Sequence, residues 1–273
     1  MTIPFTKMQG LGNDYIYVDC TEQSVFKLLN SLNLNDLAHR LSDRHFGIGS
    51  DGLVLILPSN RADVAMRIFN ADGSEAMMCG NAARCIGKYL YEHGKINNID
   101  ILLDTPSDIR HLHLHTKQGQ VEQVSVDMGQ ANIKPLTLNV LGNIIKCTYV
   151  DIGNPHIVIE SMSDLRTLDI SHIGKAVEHH SLFPGGVNVE FVSVLNTHEI
   201  SMRVWERGSG ETMACGTGAC AAAAATTDLL TSNTTILVHL RGGELIISRD
   251  TTTNTIWQTG EATEVFHGEM TLS

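Results

Sequence analysis

The chain has 273 residues, 42% hydrophobic and 18% charged, with a mean hydropathy of zero, enough to bury one large core or two modest ones. A net charge of −11 and a pI near 5.5 argue against nucleic acid or an anionic membrane as a partner, because their phosphates would be repelled. The first residues lack the basic and apolar regions of a signal peptide, and no apolar run is long enough to span a bilayer. Six scattered cysteines with no CxxC pair fit reduced thiols in a cytoplasm better than a disulfide framework or a zinc site.

In chain order, helical periodicity appears first at Leu34–Arg44. Alternating residues then predict strands at "DGLVLIL" (51–57), "VAMRIFN" (64–70) and "HLHLHT" (111–116). Between the last two, "EAMMCGNAARCIGKY" (75–89) carries Cys79 into a predicted helix over Ala82–His93. Further strands are expected at 121–128, 147–153, 189–195, 200–206 and 237–248, with a helix at His172–His180. A second cysteine segment, "ETMACGTGACAAAAA" (211–225), leads Cys215 into a helix over Ala219–Leu230, and "EATEVFHGEMTLS" (261–273) reads as a strand returning to the first half.

The two cysteine segments repeat one another. At a common spacing, Glu75, Met77, Gly80 and Ala83 match Glu211, Met213, Gly216 and Ala219. At nearly that spacing "FGIGSDG" overlays "FPGGVNV", and "GNDYI" (12–16) overlays "GNPHI" (153–157). Three matches in one order indicate two homologous halves, 1–118 and 119–262, meeting near 118–120, with 263–273 joined to the first. Short strands with few helices make the class α+β: two domains about a pseudo-twofold, each a mostly antiparallel sheet around a central helix, with a site in the cleft between them.

A cysteine at a helix N-terminus meets orphan N–H groups and the positive end of the dipole, which can lower a thiol pKa from about 8.5 toward neutrality. Gly80–Asn81 and Gly216–Thr217 follow the cysteines and can offer N–H groups to a carboxylate. Two such units could place one sulfur on each face of an amino-acid Cα, so that a thiolate removes the proton and a thiol returns one from behind. Cys20, Cys85, Cys147 and Cys220 are read as small hydrophobes. His111, His113 and His115 fit one exposed strand face better than a metal site.

At these residues the sequence resembles the diaminopimelate epimerase family, through "KMQGLGNDYIYVD", "FNADGSEAMMCGN", "GNPH", "GVNVEF" and "ERGSGETMACGTGACA", in order along the chain. Proline racemases, whose first block reads CGH, and phenazine-biosynthesis-like isomerases, which lack the cysteine pair, fit less well. The resemblance implies conversion of L,L-diaminopimelate to the meso form by a cytoplasmic homodimer, without cofactor or metal. Cys79 and Cys215 would be the acid/base pair, and His156 and Glu206 would set their protonation. Gly80, Asn81, Gly216 and Thr217 would hold the reacting carboxylate. Asn13, Asn70, Asn154, Asn188 and Arg207, with Glu206, would complete the substrate site. Gly52, where some members carry a substrate-contacting Gln, and Asp108, in place of a usual Gly, leave room for a racemase of another amino acid such as histidine. Outside enzymology, the alternative is a thiol redox or metal-binding protein.

Overall fold

The computed structural model describes residues 2–161, 164–227, 229–230 and 234–271. The chain divides into two units, residues 1–126 with 260–273, and residues 127–259. The first unit holds β1 (Thr2–Gly10), β2 (Asn13–Asp19), α1 (Gln23–Leu29), α2 (Leu34–Ser42), β3 (Gly52–Leu57), β4 (Val64–Asn70), the two-residue β5 (Glu75–Ala76), α3 (Gly80–Glu92), β6 (Asp100–Asp104), β7 (Ile109–Lys117) and β8 (Gln120–Gly129). The second begins within β8. It continues through β9 (Asn132–Val140), β10 (Asn143–Asp151), β11 (Pro155–Glu160), α4 (Ile170–Glu178), β12 (Asn188–Asn196), β13 (Glu199–Glu206), the two-residue β14 (Gly210–Glu211), α5 (Gly216–Thr226), β15 (Ile236–Leu240), β16 (Gly243–Arg249) and β17 (Ile256–Gly260). The last strand, β18 (Thr263–Thr271), pairs antiparallel with β1.

Strand pairing exposes the repeat. In the first unit the order is β18-β1-β2-β3-β4-β6-β7-β8, with parallel steps only at β2–β3 and β4–β6. In the second it is β9-β10-β11-β12-β13-β15-β16-β17, with parallel steps only at β11–β12 and β13–β15. The two series agree step by step, β18 standing where β9 stands. Outer helices α2 and α4 each bridge the first parallel step; α3 and α5 each bridge the second, as a parallel crossover requires.

Local chemistry explains the helices. Asn33 caps α2 through its side chain, accepting from the N–H groups of Asn35 and Asp36 at 3.1 and 3.3 Å, and Asp169 accepts from the His172 N–H at the start of α4. Both outer helices are amphipathic: α2 lays Leu37 and Ala38 on Val18, Leu55 and Phe69, while α4 lays Ile170 and Val177 on Ile157, Val189 and Phe191. By contrast, α3 and α5 are buried almost all round, which small residues permit: Gly87 lies against Leu114, and α5 is an alanine run. The alanine helix ends at Thr226, with Thr227 extended, short of the predicted Leu230. Residue 228 of that predicted helix, and 272–273 of the predicted last strand, lie outside the described residues.

Gln118 and Gly119, with φ of 52° and 82°, form the two-residue turn of the β7–β8 hairpin. Gly52 opens β3 under closer constraint. A Cβ there would lie 2.1 Å from the Phe69 carbonyl oxygen and 3.0 Å from the Tyr15 ring, so no side chain fits this backbone. Gly52→Ala is therefore expected to cost about 3 kcal/mol through overpacking, read as a lowered denaturant midpoint. An unchanged midpoint would show that the strand yields there.

Candidate active site

Cys79 and Cys215 occupy the same position in the two units, each the N-cap residue of the enclosed helix. In the first unit the Cys79 thiol donates to Asn13 Oδ1 at 3.5 Å, and Asn81 Nδ2 donates to the same oxygen at 3.2 Å. Asn13 is turned this way because its own amide N–H donates to Asp51 Oδ2 at 2.8 Å. Asp51 in turn receives Arg44 Nη2 at 3.0 Å. Behind Asn81 lies the fully buried Arg84, whose guanidinium donates to Asn81 Oδ1 at 2.9 Å and to the Glu261 carbonyl at 3.1 Å. Asn70 is not bonded into this group; it ends β4 and donates to Ser74 Oγ at 3.0 Å.

The second unit surrounds its cysteine with ionisable groups. Cys215 is 6% exposed, and its sulfur accepts the Gly218 N–H at 3.4 Å and lies 3.5 Å from Thr217 Oγ1. Glu206, at the end of β13, accepts a hydrogen bond from the Thr212 hydroxyl and stands near the Cys215 thiol. Asn154 donates to Thr217 Oγ1 at 3.3 Å, and its Oδ1 lies 3.0 Å from His156 Nε2. His156 Nδ1 then meets Glu190 Oε1 at 2.7 Å, with both side chains wholly buried. Asn188 accepts the Arg207 N–H at 3.0 Å, and Arg207 donates to the Gly185 carbonyl at 3.1 Å, its side chain reaching the surface. Of the sequence-predicted residues of this unit, Asn154, His156, Thr217 and Cys215 thus join one hydrogen-bonded group at the mouth of α5, while Glu206 bonds to Thr212 and Asn188 to Arg207.

Burial reverses one expectation. Removal from water pushes the Cys215 thiol well above its usual range, and the Glu206 and Glu190 carboxylates push it further. The Thr217 hydroxyl and the Gly218 N–H pull the other way and are outweighed. Burial likewise raises Glu206, against the Thr212 hydroxyl, whose hydrogen bond lowers it. Burial therefore favours the thiol over the thiolate at Cys215, beside a carboxyl whose own charge burial disfavours. The other cysteines behave as hydrophobes: Cys20, Cys85 and Cys220 are buried and Cys147 is half-buried, with Cys85 and Cys147 both raised to about 11 by burial.

Asp51, Arg84 and Glu190 were not picked out by the sequence reading. Glu190 had a signal, being an acid inside a strand whose first five residues are all buried. His111 and His113 meet Asp100 at 3.2 and 2.8 Å, and His115 meets Ser125 at 2.7 Å. Among the described residues no group of three or more His, Cys, Asp or Glu is arranged to hold a metal ion. Nor, among them, is any helix long and apolar enough to cross a membrane.

Solved structures share this fold. A phenazine biosynthesis protein of the PhzF family from Bacillus anthracis superposes over 100% of both chains with a TM-score of 0.75 at 14% identity. A probable proline racemase from Agrobacterium radiobacter gives a TM-score of 0.74 at 16% identity, over 99% of this chain and 93% of its own. The class is thus the two-unit α+β fold of those proteins, here with a cysteine at each enclosed helix. The diaminopimelate epimerase family model matches residues 5–134 and 148–265. Diaminopimelate epimerases of Acetivibrio thermocellus, 46% identical over 98% of this chain and 99% of that one, and of Phocaeicola vulgatus, 46% identical over 99% of both, are similar along their length. The chain belongs to the diaminopimelate epimerase family.

The geometry at α5 fixes a sign. Taking the carboxylate from beside Cys215 with Glu206→Gln should lower that thiol's pKa and speed its alkylation by iodoacetamide at pH 8, about tenfold for each pKa unit. Peptide mapping by mass spectrometry reads this, with Cys79 as internal reference. A slower reaction at Cys215 would mean that Glu206 does not raise the thiol.

Proposed function

We propose that the protein epimerises L,L-diaminopimelate to the meso form by proton transfer between the substrate Cα and the thiols of Cys79 and Cys215. The observation that carries this reading is a cysteine capping the equivalent helix in each of two repeated units, in a chain of this family. One sulfur, as thiolate, takes the α-proton; the electron pair passes onto the α-carboxylate; the other sulfur, as thiol, delivers its proton to the opposite face. The reverse reaction exchanges the two roles, so each sulfur must be able to serve as acid and as base.

The first-turn N–H groups at Gly80–Asn81 and Gly216–Thr217 stabilise the charge that builds on the carboxylate. Glu206, near the Cys215 thiol, is the carboxylate that takes its proton and prepares the thiolate. His156 assists through Asn154 and Thr217. Asn13, Asn70, Asn154, Asn188 and Arg207 recognise the distal, non-reacting amino-acid end. The working form is a cytoplasmic homodimer acting on this small molecule without cofactor.

Incubation of the protein with L,L-diaminopimelate in deuterated water should give the meso form with one deuterium at the inverted carbon, read by mass spectrometry. Cys79→Ala and Cys215→Ala should each slow the reaction by about a hundred- to ten-thousand-fold, the usual contribution of a positioned acid or base. Full turnover by either variant would defeat the two-thiol mechanism. Exchange into histidine or another amino acid, with none into diaminopimelate, would replace the substrate.

A further inference from the structure

The repeat allows the two cysteine sites to be compared residue by residue. Parallel pairing sets Tyr15 beside Gly52 and Tyr17 beside Val54 in the first unit, and His156 beside Asn188 and Val158 beside Glu190 in the second. Antiparallel pairing sets Gly52 against Asn70, and Val189 against Trp205 next to Glu206. Tyr15, Val54 and Asn70 therefore stand where His156, Glu190 and Glu206 stand. The ionisable set belongs to the second unit alone.

Its hydrogen bonds also run in the opposite sense. In the first unit the carboxylate of Asp51 binds the Asn13 N–H directly, so Oδ1 faces Cys79 and takes a hydrogen from the sulfur. In the second unit the buried carboxylate stands one residue further back. Glu190 Oε1 and His156 Nδ1 share a hydrogen at 2.7 Å; the Asn154 amide N–H is given to Thr217 Oγ1, which leaves Asn154 Oδ1 to accept from the ring's Nε2. With its oxygen accepting from Asn154, the Thr217 hydroxyl can give its hydrogen to Cys215 Sγ, 3.5 Å away. Glu190 has no other use in view: its Oε2 is buried without a partner among the described residues. Gly218 lets it stand close, for a Cβ there would lie 2.7 Å from Glu190 Oε1.

We infer that Glu190 is a positioning residue for the Cys215 thiolate, acting through His156, Asn154 and Thr217 to keep every donor in that line aimed at the sulfur. Without its carboxylate, the ring can leave Nε2 bare. The Asn154 amide can then turn to donate to that nitrogen, and the Thr217 hydroxyl turns away to the amide oxygen. Glu206 and His156 are the other ionisable groups at this thiol, from β13 and β11. The inference deepens the proposed role of Cys215 without depending on which amino acid is the substrate.

Charge and position predict opposite signs, which makes the test decisive. Removing a negative charge with Glu190→Gln would, by charge alone, ease ionisation of Cys215 and speed its alkylation. The positioning role predicts the reverse: Cys215 alkylated about threefold more slowly or more at pH 8, with Cys79 unchanged as reference. Thr217→Val, which removes the last donor directly, should slow Cys215 similarly, and adding Glu190→Gln to it should slow Cys215 no further. Faster or unchanged labelling of Cys215 in Glu190→Gln, or a further slowing in the double variant, overturns the inference. If Glu190→Gln does not fold, Thr217→Val alone decides, since an unchanged rate there removes the end of the line. Because iodoacetamide is the probe, the result stands even if diaminopimelate shows no exchange, the outcome that would defeat the proposed substrate.

Discussion

A sulfur enclosed at the mouth of α5 with a buried and a half-buried carboxyl and one buried imidazole is the constraint on which the second unit is built. In so dry a place each ionisation changes the cost of the next, so protons must be shared within the group. Glu190 and His156 can hold one between them at 2.7 Å. Space for the arrangement comes from two glycines. A Cβ on Gly216 would lie 2.5 Å from Gln258 Oε1, and one on Gly218 would strike Glu190. The helix can therefore begin here only as a bare backbone, the same feature that leaves its N–H groups open to an anion.

Duplication supplied two helix mouths of one geometry, and the sequences beneath them diverged. Strand order and sense agree throughout the two sheets, yet the first unit answers its cysteine with amides, an aspartate and a buried arginine. The second answers with glutamates and histidine. A reaction that inverts one carbon needs a base on each side, but nothing in that requirement makes the two sides chemically alike.

Much of this was legible in the chain itself. The CG[NT] turns before small-residue helices located both caps, and the internal matches located the repeat, because a helix mouth that must lie bare tolerates few other residues. Segments whose partners are distant were harder to read. Strand β1 and helix α1 were not anticipated, and the junction expected at 118–120 is a hairpin turn, its two positive φ angles giving the same local signal that a linker would. Cys215 was expected to be acidified by the helix end. Burial and neighbouring carboxylates, which no local pattern reports, prevail instead. Glu190 was missed for a similar reason: one acid within an apolar strand acquires meaning only when His156 from the adjoining strand lies against it.

The pairing of β18 with β1 bears on how the chain emerges from a ribosome. Residues 127–259 are contiguous and can close their sheet once synthesised, whereas the sheet begun by β1 stays one strand short until β18 has been made. The polypeptide that starts first is thus finished last, and until then the open edge of β1 must be kept from pairing with other nascent chains.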